Sequence, residues 1–301
     1  MLRQARQEDG LLGTCLLKPK ERGIDMLHEV FPIQVEGSLP GAHLTTYIQD
    51  YSDGMMINER PLVLICPGGG YGHLSDREGE PVALAFLAMG YHAAVLHYSV
   101  APAHYPTQLD ELAKAMLIIQ EHAKEWYVDT DKIVVEGGSA GGHLAACLGM
   151  FWDDDELAQR MGLKADEHHL LKPAAMILCY PVITSGEFAH RGSFKNLLGD
   201  KEAELSEKLS LEKQVTEKTP TAFIWGTYED ASVPMENSLL LVSAMRRAGI
   251  PVEYHLYPRG CHGLALATRL TQSEGGRHIQ KECGSWVELA HTWMENMFFE
   301  G

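Results

Sequence analysis

The sequence predicts an α/β fold with a mostly parallel sheet, helices on both faces and a small cap-like insertion. Three observations predict it. From residue 61 onward, short apolar runs alternate with segments of helical period, as repeated strand–helix units require. Runs such as Pro61–Cys66 (PLVLIC) are apolar at every position, as in strands covered on both faces. Two of the runs lead directly into glycine-rich turns, PGGGY at 67–71 and GGSAGG at 137–142.

His28–Val35 and Leu44–Tyr51 read as two early strands, with turn residues at Ser38–Gly41 and Asp53-Gly54. Pro61–Cys66 is the first buried strand, followed by helical spacing over Glu78–Met89 and a strand at His92–Tyr98. Pro106 opens a long helix to Tyr127, because Leu109, Leu112, Ala113, Met116 and Ile119 fall on one stripe. Lys132–Glu136 (KIVVE) is the next strand, and a helix runs from Ala140 to Met150. Ala174–Tyr180, Thr221–Trp225 and Val252–Tyr257 are three more strands, with helices at Glu236–Ala248 and Ser285–Phe298. Trp152–Lys172, acidic and histidine-bearing, reads as a solvated helix or loop. Ser185–Lys218 is the long insertion after a strand. It lies where α/β enzymes place their ligand, and so is the candidate cap.

The chain has 301 residues, 45% hydrophobic and 22% charged, which suits one large domain over 1–301; no linker or repeat divides it. A formal net charge of −16 argues against nucleic acid or an anionic membrane as partner. The first residues carry no apolar leader, and no run is long enough to span a bilayer, so a cytoplasmic protein is expected. Cys15, Cys66, Cys147, Cys179, Cys261 and Cys283 show no zinc spacing and read as free thiols in a reducing compartment. Histidines such as His122, His168 and His169 lack metal-ligand spacing, and His143 reads as packing beneath a turn; no metal is expected.

The chemistry concentrates in Gly137-Gly138-Ser139-Ala140-Gly141, between the KIVVE strand and an apolar helix. A G-x-S-x-G at a sharp strand-to-helix turn exposes the serine above the sheet as a nucleophile. G-x-G-x-x-G and the P-loop pattern are both absent, which argues against a dinucleotide or phosphate loop. In Pro67–Tyr71, three glycines let backbone N–H groups face a bound carbonyl oxygen; with the N–H of Ala140 they would form an oxyanion hole. The base and its orienting acid follow in the order Ser, Asp, His: Asp230 after the strand TAFIW and His262 after VEYHLY. Glu229 is the alternative acid; Asp230 is preferred because it precedes the x-x-Val-Pro turn.

PGGGY, SDREGEP at 75–81, GGSAGGHLAA, YPVIT at 180–184 and GCHG at 260–263 resemble the acetyl-esterase and acetylxylan-esterase-like branch of the α/β hydrolases, relatives of feruloyl esterases and hormone-sensitive-lipase-like esterases. The resemblance runs from about residue 28 to 298. Pro67 stands where many hormone-sensitive-lipase relatives carry histidine, which points to the sugar-esterase side and places the hole donors at Gly69 and Gly70. The resemblance implies an α/β-hydrolase fold and removal of acetyl or other short acyl groups, often from oligosaccharides, without a cofactor. The expected partner is a small-molecule or oligosaccharide ester, and homo-oligomers are compatible with the sequence. A peptidase or amidase on the same fold is the second reading, which ester-versus-peptide turnover would separate. A catalytically inactive binding protein is the third; it would fail to react with a serine-directed phosphonate fluoride. Phe188, His190, Arg191, Phe194 and Asn196 in the insertion are expected to contact a sugar ring.

Overall fold

The computed structural model describes residues 26–52 and 54–299. Cys15, the first residues and Asp53 of the expected Asp53-Gly54 turn lie outside them. Within the described residues eight strands form one sheet: β1 (Val30–Pro32), β2 (His43–Tyr47), β3 (Arg60–Cys66), β4 (His92–His97), β5 (Val128–Gly138), β6 (Ala175–Cys179), β7 (Thr221–Thr227) and β8 (Val252–Tyr257). Their order is β1-β2-β4-β3-β5-β6-β7-β8; β2 pairs antiparallel with both β1 and β4, and the other pairs are parallel.

Both faces are covered, and the side chains of each central strand divide between them. Leu62, Leu64, Ile133, Val135, Met176 and Leu178 pack on one side, against α2 (Thr107–Trp126) and α3 (Ala140–Phe151). Val63, Ile65, Val134, Ala175 and Ile177 pack on the other, against α1 (Glu80–Ala88) and α8 (Trp286–Phe299). Each fully buried Val, Leu or Ile is worth roughly 1.5–3 kcal/mol, so an uninterrupted apolar run stabilises a strand only where both faces are dry.

Several boundaries differ from the sequence reading: β1 keeps only Val30–Pro32 of the expected His28–Val35, and β2 is His43–Tyr47 rather than Leu44–Tyr51. Strand β5 starts four residues before Lys132, because Val128 pairs with Arg60 across a bulge that periodicity does not mark. Trp152–Lys172 is more than a solvated stretch. Asp154 caps the short α4 (Asp155–Arg160) by accepting from the N–H groups of Glu156 and Leu157, while Leu157 and Leu171 are buried.

The Ser185–Lys218 segment leaves β6 and holds α5 (Arg191–Leu198) and α6 (Glu202–Leu205) before β7; α7 (Glu236–Ala248) follows β7. It is not the only long excursion after a strand: Pro258–Ser285, between β8 and α8, is another, built of short 3-10 turns. Among the described residues no helix is long and apolar enough to cross a membrane.

Candidate active site

Ser139 occupies the turn from β5 into α3 with φ 55° and ψ −117°, a conformation that costs free energy for a residue with a side chain. Backbone bonds hold it there. The Ser139 N–H donates to Cys179 O at 2.9 Å, and its carbonyl accepts from His143 N at 3.1 Å and Val182 N at 3.0 Å. The flanking glycines are steric necessities. A β-carbon on Gly137 would collide with the Gly141–Gly142 peptide, and one on Gly141 with the Cys66 carbonyl oxygen.

Parallel strands bring the remaining groups to the same sheet end. The ring of His262 lies with Nε2 2.7 Å from Ser139 Oγ and Nδ1 2.6 Å from Asp230 Oδ2. A carboxylate can only accept, so Nδ1 carries the proton and the Nε2 lone pair faces the serine hydroxyl. Asp230 is itself fixed: its Oδ1 accepts from the N–H groups of Ser232 and Val233, both at 2.9 Å, and 2% of its side chain is exposed. The x-x-Val-Pro turn thus orients the acid. Glu229, exposed, accepts from Gly260 N–H at 3.3 Å instead.

Ser139 and His262 open onto a cleft of about 440 Å³, with Gly69 and Gly70 in its wall. Gly69 has φ 127°, and a β-carbon there would collide with the His73 carbonyl. Among the described residues, the amide N–H groups of Gly69, Gly70 and Ala140 donate no hydrogen bond within the protein. They are free to bind an oxyanion, and Ala140 adds the N-terminal partial charge of α3.

Of the five insertion residues expected at a sugar, two line the cleft: His190 and Asn196. Asn196 Nδ2 donates to Gly70 O at 2.9 Å, tying α5 to the glycine loop. The His190 Nδ1 accepts from Ser193 N–H at 3.3 Å as a helix cap, so its proton sits on Nε2. Burial and the neighbouring His262 hold its pKa below the ordinary histidine value. Phe188, Arg191 and Phe194, expected at the sugar, do not line the cleft. Phe194 is buried edge-on against His143, Arg191 turns back to the Ser185 and Gly186 carbonyls, and Phe188 is not part of the cleft lining. Apolar helical spacing draws Phe194 inward; a cap pattern alone does not show which face a ring takes.

The sequence reading did not single out Arg77, Glu78, His73 and Ser232 as cleft residues, yet they line it. The SDREGEP motif marked the first two, without a role. His143 is buried as expected, and is also bonded at both nitrogens, to Tyr71 Oη and Leu209 O, each at 2.9 Å; burial lowers its pKa to about 4.

Beneath the turn, Glu136 is 3% exposed, and burial pushes its carboxyl up to about 8. One oxygen accepts from Cys179 Sγ at 3.1 Å and the other has no partner among the described residues. A folded-state pKa above the unfolded one means stability that is complete below the unfolded value and lost as pH rises through about 8. Glu136→Gln keeps the neutral form at every pH. Its Tm advantage over wild type is expected to widen by several degrees between about pH 5 and about pH 8.5. Calorimetry at both pH values checks this; a pH-independent difference would contradict it.

Comparison with known proteins fits this geometry. The BD-FAE family profile matches residues 51–245. The chain belongs to the BD-FAE family. This BD-FAE chain is 38% identical over 221 residues to endo-1,4-beta-xylanase B of Butyrivibrio fibrisolvens, covering 69% of this chain and 33% of that protein. It is 27% identical over 229 residues to the acetylxylan esterase of Xylanibacter ruminicola, covering 74% of this chain and 44% of that protein. The chain therefore spans between a third and a half of these two curated relatives. Among solved structures, an acetyl ester-xyloside bifunctional hydrolase from Caldicellulosiruptor lactoaceticus superposes with TM-score 0.77 at 34% identity, covering 93% of this chain and 100% of that one. The BD-FAE chain has the α/β-hydrolase fold.

Proposed function

We propose that the protein is a carboxylic ester hydrolase that acts through an acyl-enzyme on Ser139 and removes acetyl and other short acyl groups from acylated sugars. The observation that carries this is the continuous hydrogen-bonded line from Ser139 Oγ through the His262 ring to a buried, twice-bonded Asp230. As Ser139 Oγ attacks the ester carbonyl carbon, its proton passes to His262 Nε2. The carbonyl oxygen becomes an oxyanion, received by the N–H groups of Gly69, Gly70 and Ala140. Collapse breaks the bond to the alcohol oxygen, which takes the proton from His262 and leaves as the free alcohol. Water repeats the sequence on the acyl-enzyme: its proton goes to His262 and returns to Ser139 Oγ as the acid departs.

The character of the cleft supports the substrate class. His73, Arg77, Glu78, His190, Asn196 and Ser232 line it, and among the described lining residues none has a hydrocarbon side chain. A long acyl chain gains affinity by burying against hydrocarbon side chains, at roughly 0.8 kcal/mol per CH₂, and none lines the cleft among the described residues. A hydroxyl-rich alcohol finds donors and acceptors. The names of the xylan-directed relatives and of the acetyl ester-xyloside hydrolase point the same way.

Across p-nitrophenyl esters, kcat/KM should be greatest for acetate and propionate and fall steeply beyond about six carbons. Acetylated xylo-oligosaccharide, followed by mass spectrometry, should lose acetyl groups. A maximum at octanoate or longer would overturn the short-acyl reading. Acetate turnover without sugar deacetylation would remove the carbohydrate and leave the esterase.

A further inference from the structure

The SDREGEP segment lines the cleft but takes no part in the steps above, yet two of its side chains reach the loop that carries the base, Arg77 directly and Glu78 through Tyr180. Arg77 Nη1 donates to the carbonyls of Gly263 at 2.8 Å and Thr271 at 3.2 Å, bracketing the chain that follows His262. Glu78, 5% exposed, accepts from Tyr180 Oη at 2.7 Å through Oε1. The same Tyr180 oxygen accepts from Ala265 N–H at 2.9 Å, and the Tyr180 ring stands edge-on to His262 with centroids 5.2 Å apart. The bracketed loop needs holding, because Ala265 and Ala267 have φ 51° and 55°, the left-handed region that side chains disfavour.

Room for the Glu78 carboxylate is made by glycines of both catalytic loops. Its Oε1 fills the space that a β-carbon on Gly138 would enter. Its Oε2 lies 2.7 Å from the place of a β-carbon on Gly68, and that place is 3.1 Å from Ser139 Cβ. One acidic side chain is therefore wedged between the glycine loop and the nucleophile turn, and reaches the base loop through Tyr180.

We propose that Arg77 and Glu78 are positioning residues for the catalytic base: Arg77 pins the two ends of the Gly263–Thr271 loop, and Glu78, through Tyr180, pins its middle and the face of the His262 ring. The proposal rests on the ester-hydrolase reading. Glu78 acts by supplying an acceptor to Tyr180, so geometry rather than charge is its contribution.

The test uses Glu78→Ala, Glu78→Gln, Arg77→Ala and Arg77→Lys in the full chain. Turnover of p-nitrophenyl acetate is normalised per active site by phosphonate-fluoride titration, and Tm is recorded alongside. A misplacement of order 1 Å costs about 10²-fold, so Glu78→Ala and Arg77→Ala should lose about that much per-site kcat, with KM changed by less than about threefold. Glu78→Gln keeps the acceptor and should stay within about fivefold of wild type. Arg77→Lys, with one compact donor group for two carbonyls, should fall between. The downfield proton resonance of the His262 Nδ1–H···Asp230 bond reports base placement without turnover. It should persist in wild type and Glu78→Gln and broaden or vanish in Glu78→Ala. Wild-type turnover, measured first, tests the ester-hydrolase reading separately. Per-site kcat near wild type in both alanine variants, an unchanged resonance in Glu78→Ala, or Glu78→Gln as slow as Glu78→Ala would overturn the positioning role.

Discussion

Replacing Ser139 by alanine is expected to lower kcat for p-nitrophenyl acetate by about 10⁶-fold, leaving the residual rate that an oxyanion hole and binding supply without a nucleophile. The expectation follows from the geometry of the turn. Ser139 is held at positive φ by three backbone hydrogen bonds, and its hydroxyl has His262 Nε2 at 2.7 Å. Alanine keeps the backbone and removes only the oxygen that would bond to the acyl carbon. The variant should therefore keep a Tm close to wild type, since the backbone bonds remain and water can reach the part-exposed His262 ring in place of the hydroxyl. Steady-state kinetics with a thermal melt checks both parts. Retention of more than about a tenth of the wild-type kcat would remove Ser139 as nucleophile.

Asp230→Asn is expected to cost roughly 10⁴-fold in kcat, and Glu229→Gln less than about threefold. The difference comes from the tautomer. With a carboxylate at 2.6 Å, His262 Nδ1 must donate and Nε2 must accept. In Asp230→Asn the backbone N–H groups of Ser232 and Val233 still need an acceptor, so they hold the amide oxygen and the amide N–H₂ turns to the ring. Nδ1 then has to accept, the proton moves to Nε2, and the serine loses its base. Glu229 is exposed and, among the described residues, accepts from the Gly260 N–H alone, so its neutralisation leaves the ring as it was. Parallel kcat measurements on both variants decide the matter; a larger loss in Glu229→Gln would exchange the two acids.

The parts of the fold legible in the sequence are those that short-range rules govern. PLVLIC and KIVVE read as strands because both sheet faces are dry, and the stripe Leu109–Ile119 reads as a helix because one face is buried. The same rules locate Ser139, Asp230 and His262, since each follows a strand and parallel strands end together. The rest depends on partners far along the chain. Glu78 meets Tyr180, 102 positions on, and Arg77 meets Gly263, 186 positions on. No local pattern announces either pairing. The early start of β5 is set by the Arg60 pairing rather than by its own polar residues Asp129 to Asp131. Phe194 shows the limit on the insertion: its composition suggests a ligand wall, whereas tertiary packing turns that ring onto His143.

Ester hydrolysis through a covalent intermediate on Ser139 is tested most directly by titrating the wild-type protein with a fluorophosphonate and mapping the labelled peptide by mass spectrometry. One phosphonyl group per chain is expected, on Ser139, with p-nitrophenyl acetate turnover lost in proportion to labelling. Full labelling with turnover intact, or turnover lost through modification at another residue, would contradict it.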